Sequence, residues 1–276
     1  MASIGAPVCV VRRYKPEDTA AAQDIMTKTV METVSDYFWS AIFTEVLPQV
    51  ALLTIAFSYI GLGVPFYFCL LGIPTAIVII YAVIWLAHMS KALEVGQEMT
   101  NIPRLFLEHP DRCFWVAEVL ECSEASELDS FMNKMKKEHS RCVEYHFMSE
   151  EESSAREAEL RGTRRHVVGL LGLTKSMRGG MKGWLRHLAV KKAYRRRGIA
   201  QRLLDEAIHF STEHCLDEIE LVATECHHKA RELFYKKGFE VQHTYFKYYF
   251  NVQQPLYIFN LPVKPPKAEL SEISSS

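Results

Sequence analysis

Three arginines followed by a glycine and an alanine, in RRRGIA at residues 195–200, are the residues with the clearest chemical meaning in this chain. A strand-like segment precedes them, and a helical pattern with Leu203 and Leu204 on its apolar face begins directly after them. A helix N-terminus offers an anion free backbone N–H groups and a favourable dipole. Gly198 allows the backbone to approach that anion closely, and Ala200 is small for the same reason. The stretch therefore predicts a loop that binds a pyrophosphate, with charge-assisted bonds from the arginines.

Nucleic-acid binding is the alternative interpretation of these arginines. A dedicated nucleic-acid binder usually carries a clear basic excess, whereas this chain has 32 Lys and Arg residues against 33 Asp and Glu residues. The basic run is also short, opens a helix and has no matching basic face. We therefore expect no nucleic-acid partner.

The cysteines and histidines do not form a recognisable metal site. The cysteines are odd in number, widely scattered and without a CxxC pair, which fits reduced thiols and argues against a disulfide framework. Two groups of histidine and cysteine, within residues 139–146 and 226–228, could be imagined as ligands, but neither has a recognised metal spacing. We expect no bound metal. The cysteines are Cys9, Cys69, Cys113, Cys122, Cys142, Cys215 and Cys226.

The 42 residues from 46 to 87 contain no Asp, Glu, Lys, Arg or His. One membrane crossing takes about 20 apolar residues, so this stretch is long enough for two, and GLGVP at residues 61–65 supplies a turn between them. The stretch starts too far from the N-terminus for a cleaved signal peptide. We predict a membrane hairpin over residues 46–88, with both flanks on the same side of the membrane. A pair of core helices in a soluble domain is the alternative.

Strand and helix patterns alternate around this hairpin and predict an α/β (α+β) fold with a central sheet. Residues 1–45 supply its first strand and helix, and residues 89–263 supply the rest. A charged stretch at about 121–165 predicts a solvated helical or partly disordered insert, and residues 264–276 predict a flexible tail. The strand patterns lie at residues 8–14, 113–119, 166–176, 183–190, 219–225, 239–252 and 256–263.

A second motif lies downstream of the arginine loop. The strand pattern IELVATE is followed by ARELFYKKGF, with a helical pattern, at residues 230–239. Together the two motifs resemble those of the GNAT superfamily of acetyl-CoA-dependent N-acetyltransferases. The loop matches the Q/R-x-x-G-x-G/A pattern of that superfamily. The helix matches its A-x-x-L-Y-x-x-x-G-F pattern at Ala230, Leu233, Phe234, Gly238 and Phe239.

The order of segments narrows the resemblance. The apolar hairpin, CFWVAE at residues 113–118, RHLAV at residues 186–190 and the arginine loop follow one another as in the camello-type, membrane-anchored branch. That branch includes a cysteine S-conjugate N-acetyltransferase and an aspartate N-acetyltransferase. The resemblance implies a GNAT-type mixed sheet flanked by helices and interrupted by the hairpin.

The resemblance also implies direct transfer of an acetyl group from acetyl-CoA to an amine, on an amino acid, a cysteine S-conjugate or a protein lysine. Leu188, Ala189 and Val190 would hold the pantetheine arm through backbone bonds, with the Val190 N–H near the thioester oxygen. The loop residues that would bind the pyrophosphate are Arg195, Arg196, Arg197, Gly198, Ile199 and Ala200.

The catalytic groups are less well defined by the resemblance. The family often has a tyrosine as general acid where this chain has Phe234. Tyr235 is the candidate substitute acid, but it lies about 100° of helix rotation further on and would need a shifted register. His187, whose ordinary pKa is near neutral, and Glu225, at the end of the next strand, are the candidate bases. Arg186 is the candidate for binding a substrate carboxylate.

Purely structural roles are the alternative for His187, as a packed histidine, and for Arg186, as a surface arginine. Phe234 also favours a different class of function, a catalytically impaired module that binds acyl-CoA or contacts a membrane. The need for acetyl-CoA, the free cysteines and the lack of an N-x-S/T site favour the endoplasmic reticulum membrane, with the catalytic domain in the cytosol.

Overall fold

The computed structural model describes residues 8–43, 46–121, 145–148, 150–155, 164–176, 179–249 and 252–263. Most of the predicted charged insert and all of the predicted tail lie outside these ranges. The strands in the described ranges follow the predicted ones closely, apart from one that the sequence did not indicate. They are β1 (Val8–Arg13), β2 (Cys113–Glu121), β3 (His146–Met148), β4 (Arg164–Lys175), β5 (Lys182–Val190), β6 (Glu218–Thr224), β7 (Glu240–Tyr249) and β8 (Val252–Pro262).

These strands form one mixed sheet in the order β3-β1-β2-β4-β5-β6-β8-β7. The pairs β1–β3 and β5–β6 are parallel, and the other neighbours are antiparallel. The predicted mixed central sheet is therefore confirmed. Its middle strands are β4 and β5, and β5 carries the segment that is predicted to bind pantetheine and leads into the arginine loop.

Both faces of this sheet are covered by helices. The helices of the described ranges are α1 (Thr19–Glu32), α2 (Val34–Phe43), α3 (Val46–Ile60), α4 (Phe66–Thr100), α5 (Glu150–Ala155), α6 (Ile199–Glu213) and α7 (His228–Lys236). α1 and the end of α4 lie on one face, and α6 and α7 lie on the other. The first helix, predicted within residues 1–45, is divided between α1 and α2, with Thr33 between them.

The core consists of two apolar layers, one on each face of the sheet. Along β2, Trp115 packs toward α6, whereas Phe114 packs toward α1 and the end of α4, because successive side chains of a strand point to opposite faces. The spacing of Leu203, Ala207 and Phe210 gives α6 one buried face. This arrangement fixes the start of α6 against the end of β5.

The predicted hairpin is present as two helices, α3 and α4, joined by a turn over residues 61–65. Large apolar side chains of both helices are exposed, for example Phe57 at 68% and Val78 at 67%. Among the described residues, α4 is the one helix long and apolar enough to span a membrane. α3 has 15 residues, fewer than the roughly 20 that one crossing takes. A membrane hairpin with two crossings is therefore not shown.

α4 also continues further than the sequence predicted. The second apolar segment of the predicted hairpin and the residues that follow it form one helix of 35 residues. This helix reaches from the exposed apolar surface to the sheet. The first proline after Ala87 is Pro103, so nothing in the chain ends the helix earlier. As a result, residues near Thr100 pack beside β5.

The charged stretch at about 121–165 was predicted to be a solvated or partly disordered insert, but part of it belongs to the sheet. Tyr145 is buried, and β3 pairs with β1 from His146 to Met148. Three residues are too few for a strand pattern to be recognised in a sequence, and this strand exists because the edge of β1 is available for pairing. The end of the stretch thus returns to the sheet beside the arginine loop.

Arg12 of β1 joins two nearly buried carboxylates and is predicted to be important for stability. Its Nη1 lies 2.7 Å from Asp18 Oδ2, and its Nε lies 3.0 Å from Glu118 Oε2. We expect Arg12→Met to lower the free energy of unfolding by about 3–5 kcal/mol, because it leaves two buried carboxylates without their cation. For a chain of this size the melting temperature should fall by roughly 6–20 °C.

Arg13→Met is the matched control, because Arg13 is the next residue along the strand and is exposed. Its guanidinium lies 5.9 Å from the Phe210 ring centre, so the loss should be about 1 kcal/mol or less. Thermal unfolding of the detergent-solubilised protein measures both. Equal shifts for the two variants would contradict the proposed role of the buried ion pairs.

Candidate active site

β5 and β6 are paired along only part of their length. The pairing runs from Lys182 with Glu218 to Leu185 with Leu221 and then stops. The following residues, 186–190, pair with β4 on one side and not with β6 on the other. An opening between two central strands is left, and the backbone of β5 that faces it has no strand partner.

A bulge in β5 lies at this opening. Arg186 is opposite Gly172, whereas Ala189 is opposite Leu170, so β5 has one residue more than β4 over this interval. His187 takes up the extra residue with φ at +60°. Positive φ is uncommon for residues other than glycine and is often found at functional sites.

The arginine loop begins directly after the same end of β5. Gly198 has φ at +80° and is the N-cap of α6, and Arg196 also has a positive φ, at +65°. A Cβ on Gly198 would lie 3.4 Å from the ring of Phe147 in β3. The first N–H groups of α6 therefore stand at a helix N-terminus with a left-handed glycine before them, which is the predicted geometry for binding an anion.

The three arginines have different surroundings. Arg195 donates from Nε to the Val190 carbonyl at 2.8 Å and lies 2.5 Å from Glu32 of α1, so it ties the loop to β5 and α1. Arg197 donates to the Tyr145 hydroxyl and lies over the Tyr194 ring. Arg196 is exposed. The three arginines therefore differ in how they are held before any phosphate binds.

Tyr145 and Phe147 were missed by the sequence prediction. Tyr145 holds Arg197 by a hydrogen bond and by a cation–π contact, with the guanidinium 5.3 Å from the ring centre. Phe147 packs against the site of Gly198. Both residues lie in the stretch predicted as a charged insert, where no sequence signal connected them with the loop.

A cavity with a volume of about 1390 Å³ continues from the opening between β5 and β6. Its walls come from α1, α2, α4, α7 and the ends of β5 and β6. Four residues predicted to take part in binding or chemistry line it, namely Arg186, His187, Leu188 and Glu225. The structure therefore brings most of the predicted reaction centre together.

Arg186 and His187 share a carboxylate that the sequence did not indicate. Arg186 lies 3.1 Å and 3.4 Å from the two oxygens of Glu98, near the end of α4. His187 Nε2 lies 3.2 Å from Glu98 Oε2, although the two atoms do not form a hydrogen bond. Glu98 is 88 residues from Arg186 in the chain, so nothing local could predict the contact.

His187 is a weak base in this environment. Its side chain is 7% exposed, and burial, together with the charges of Arg186 and Lys91, lowers its pKa to about 4. The folded protein therefore keeps His187 neutral while the unfolded chain takes up a proton as the pH falls below about 6.5. The ionisation of His187 therefore lowers the free energy of unfolding progressively as the pH falls from about 6.5 to 4.

The residues after β6 form the opposite wall of the cavity. Glu225 follows β6 directly and is exposed to the cavity. Thr224 Oγ1 lies 2.7 Å from His227 Nδ1, which fixes the turn that leads into α7. Glu225 therefore projects from an ordered turn at the mouth of the opening.

The tyrosine predicted as a substitute acid does not reach this cavity. Tyr235 is 50% exposed and packs edge-on against Phe259, with ring centres 5.2 Å apart. Phe234, which occupies the family's tyrosine position, is buried and lines the cavity instead. The helix register is therefore unshifted, and the rotation of about 100° directs Tyr235 away.

Two of the thiols are unsuited to chemistry. Burial raises the pKa of Cys9 to about 12 and that of Cys113 to about 11. Within the described residues there is no group of three His, Cys, Asp or Glu side chains that could hold a metal.

A family model matches the part of the chain that carries this site. Residues 116–239 match the model described as Acetyltransferase (GNAT) family, and the match runs from β2 through α7. It includes the strand opening, the arginine loop and the residues after β6, although it covers somewhat less than half of the chain. The segment from β2 through α7 thus has the GNAT acetyltransferase pattern. No curated protein matches the chain.

Solved structures of similar fold are distant in sequence. A GNAT-family acetyltransferase from Streptococcus pneumoniae is 13% identical, with a TM-score of 0.48, and the match covers 93% of this chain and 99% of that one. A GNAT-family acetyltransferase from Staphylococcus aureus Mu50 is 12% identical, with a TM-score of 0.44, and the match covers 93% and 100%. At these values we draw no functional argument from either structure.

Proposed function

We propose that this protein is a membrane-anchored N-acetyltransferase that transfers an acetyl group from acetyl-CoA to a primary amine. The observation that carries the proposal is the position of two features at the same end of β5. One is the opening beyond Leu185, and the other is the left-handed Gly198 at the start of α6. A thioester on a pantetheine arm and the pyrophosphate of the same molecule require a groove and an anion site next to each other.

The residues present fit acetyl-CoA. The backbone of Leu188, Ala189 and Val190 has no strand partner on the side of β6, which leaves polar groups for a pantetheine amide, apart from the Val190 carbonyl that accepts from Arg195. The N–H groups of Ile199 and Ala200 at the start of α6 suit the pyrophosphate. Acetyl-CoA supplies an activated acyl group with a thiolate as leaving group.

The transfer balances without another reactant. The neutral amine nitrogen attacks the carbonyl carbon of the thioester, and a C–N bond forms. The C–S bond breaks, and its electron pair leaves with sulfur. The proton lost by nitrogen passes to a base, and the thiolate is stable enough to leave without a strong acid, since an ordinary thiol has a pKa of about 8.5. A buried acid at Phe234 is therefore not required.

Glu225 is the base that we assign. Glu225 lies after β6, lines the cavity and is exposed to it, whereas the His187 side chain is buried and its Nε2 lies 3.2 Å from Glu98 Oε2. A general base must come within hydrogen-bond reach of the proton that it takes, and an incoming amine reaches the exposed carboxylate more readily. His187 then has a positioning role, as the left-handed residue of the bulge that separates β5 from β6.

Membrane attachment is proposed on the exposed apolar surface of α3 and α4. α4 is of spanning length and composition, and the described residues leave its most apolar part uncovered. The order of the segments supports the camello-type branch, and the free thiols support a cytosolic domain at the endoplasmic reticulum. The acceptor is then a small amine-bearing molecule or a protein lysine.

Release of free thiol from acetyl-CoA tests the proposed activity. The full chain in detergent should release CoA thiol in the presence of a suitable amine, in a panel of amino acids, cysteine S-conjugates, simple amines and lysine peptides. The product should carry an acetyl group by mass spectrometry. Normal CoA binding without release by any amine would overturn the proposal.

That negative outcome would favour a second candidate function. The position of Tyr235 outside the cavity and the phenylalanine at residue 234 both favour a module that binds acyl-CoA without turnover. In that case the exposed α4 would serve in membrane contact alone. Isothermal titration with CoA separates this candidate from a chain that binds no CoA.

A further inference from the structure

Two cations on the cavity wall already have carboxylate partners. Arg186 contacts both oxygens of Glu98, and Lys91 lies 2.9 Å from Glu94. An acceptor that carries a carboxylate needs a cation to pair with. Arg186 and Lys91 could pair with such an acceptor only by giving up part of their present contacts.

Two exposed carboxylates also line the cavity. Glu225 follows β6, and Asp36 lies on α2. Burial lowers the pKa of His227, two residues after Glu225, and the charge of Asp36 opposes that lowering. Both acids would attract a positively charged group into the cavity.

His187 provides an independent indication of a ligand in this cavity. Its side chain is more than nine-tenths buried and lines the cavity, and its Nε2 makes no hydrogen bond in the described part of the chain. A buried polar atom of this kind is usually completed by a ligand or by ordered water.

The remaining wall is apolar and belongs to the helices proposed for the membrane. Trp39 of α2 and a series of aliphatic residues of α4 line the cavity between the reaction centre and the exposed apolar surface. A molecule with an apolar body would find continuous apolar contact from that surface into the cavity. The aliphatic residues are Ile79, Ile80, Val83 and Ile84.

We propose that the acceptor is a primary amine on an apolar body, with no carboxylate beside the amine. Its apolar body lies against Val83 and Ile84, and its ammonium group lies near Asp36 and Glu225 before Glu225 takes the proton. This inference rests on the proposed acetyl transfer and specifies its substrate class. It excludes free amino acids as the preferred acceptors.

Matched acceptor pairs test the substrate class. Phenethylamine and phenylalanine differ only by the carboxylate, and we expect kcat/KM for phenethylamine to be at least about tenfold higher. From propylamine to hexylamine, kcat/KM should rise about three- to fourfold for each buried methylene. A preference for phenylalanine, or no dependence on chain length, would overturn the inference while leaving the proposed acetyl transfer intact.

A variant of the apolar wall tests the position of the apolar body. In Val83→Gln the ratio of kcat/KM for hexylamine over propylamine should fall about tenfold. Leu93→Gln is the control, because Leu93 is on the same helix, is 57% exposed and is not part of the cavity wall. CoA titration shows whether each variant is folded. An unchanged ratio in Val83→Gln, or an equal fall in both variants, refutes the position. Absence of turnover with every amine refutes the acetyl transfer and this inference together.

Discussion

Gly198→Glu is expected to weaken CoA binding by at least about 100-fold. A residue other than glycine at a φ of +80° costs roughly 1–2 kcal/mol. A carboxylate at the start of α6 is itself favoured by the helix dipole, so it competes with the pyrophosphate for the same N–H groups. It also repels the phosphates, and juxtaposed like charges cost several kcal/mol. Backbone strain and repulsion together correspond to at least about two orders of magnitude in affinity. Isothermal titration of the solubilised protein with CoA measures the change.

Gly179→Glu is the control for this variant. Gly179 has a φ of +87°, and a Cβ there would meet no atom within 4 Å, so the substitution adds the same charge with similar backbone strain away from the loop. We expect its affinity for CoA to stay within about twofold of the unchanged protein. If Gly198→Glu binds CoA normally, or if both variants lose affinity equally, the loop is not the phosphate site.

Glu225→Gln is expected to lower kcat by about 100- to 1000-fold, because removal of a general base typically has an effect of that order. The KM for acetyl-CoA should change less than about threefold, since Glu225 is remote from the arginine loop in the proposed complex. Part of the activity should return at high pH, where more of the amine is already neutral. Steady-state kinetics over a range of pH values measure both effects.

His187→Asn distinguishes the two candidate bases. Asparagine tolerates a positive φ better than most residues, so the bulge should persist. We expect kcat to fall less than about tenfold, because the buried His187 has a positioning role in the bulge of β5 and does not act as the base. Glu232→Gln, at an exposed position of α7 outside the cavity, is the charge control. A large loss in His187→Asn with a small loss in Glu225→Gln would reverse the assignment.

The arrangement of α4 relates the membrane proposal to the site. One continuous helix carries the exposed apolar surface around Val78 and, about three turns beyond Ala87, the carboxylate of Glu98 that engages Arg186. The apolar wall of the cavity lies between these two points. In the proposed arrangement the anchoring helix therefore also supplies the carboxylate that contacts Arg186 beside the bulge of β5.

Most of the fold was predictable because its signals are local. The alternation along β2 and the helical spacing on α6 are determined by residues close together in the chain. The RRRGIA loop was likewise correctly placed at a helix start, since Gly198 and the apolar pattern after it lie within ten residues of each other. The predicted end of α4 was wrong and β3 was not predicted. Tertiary contacts, and not local patterns, set the limits of both elements.

The sequence alone thus determined the mixed sheet, the position of the anion loop and the apolar segment. Only the tertiary structure decided which side chains meet. It paired Arg186 with Glu98 and Arg197 with Tyr145, and it directed Tyr235 away from the cavity. The physical reason is that periodicity encodes the face on which a residue lies, whereas a contact between residues 50 or more positions apart depends on how whole elements pack.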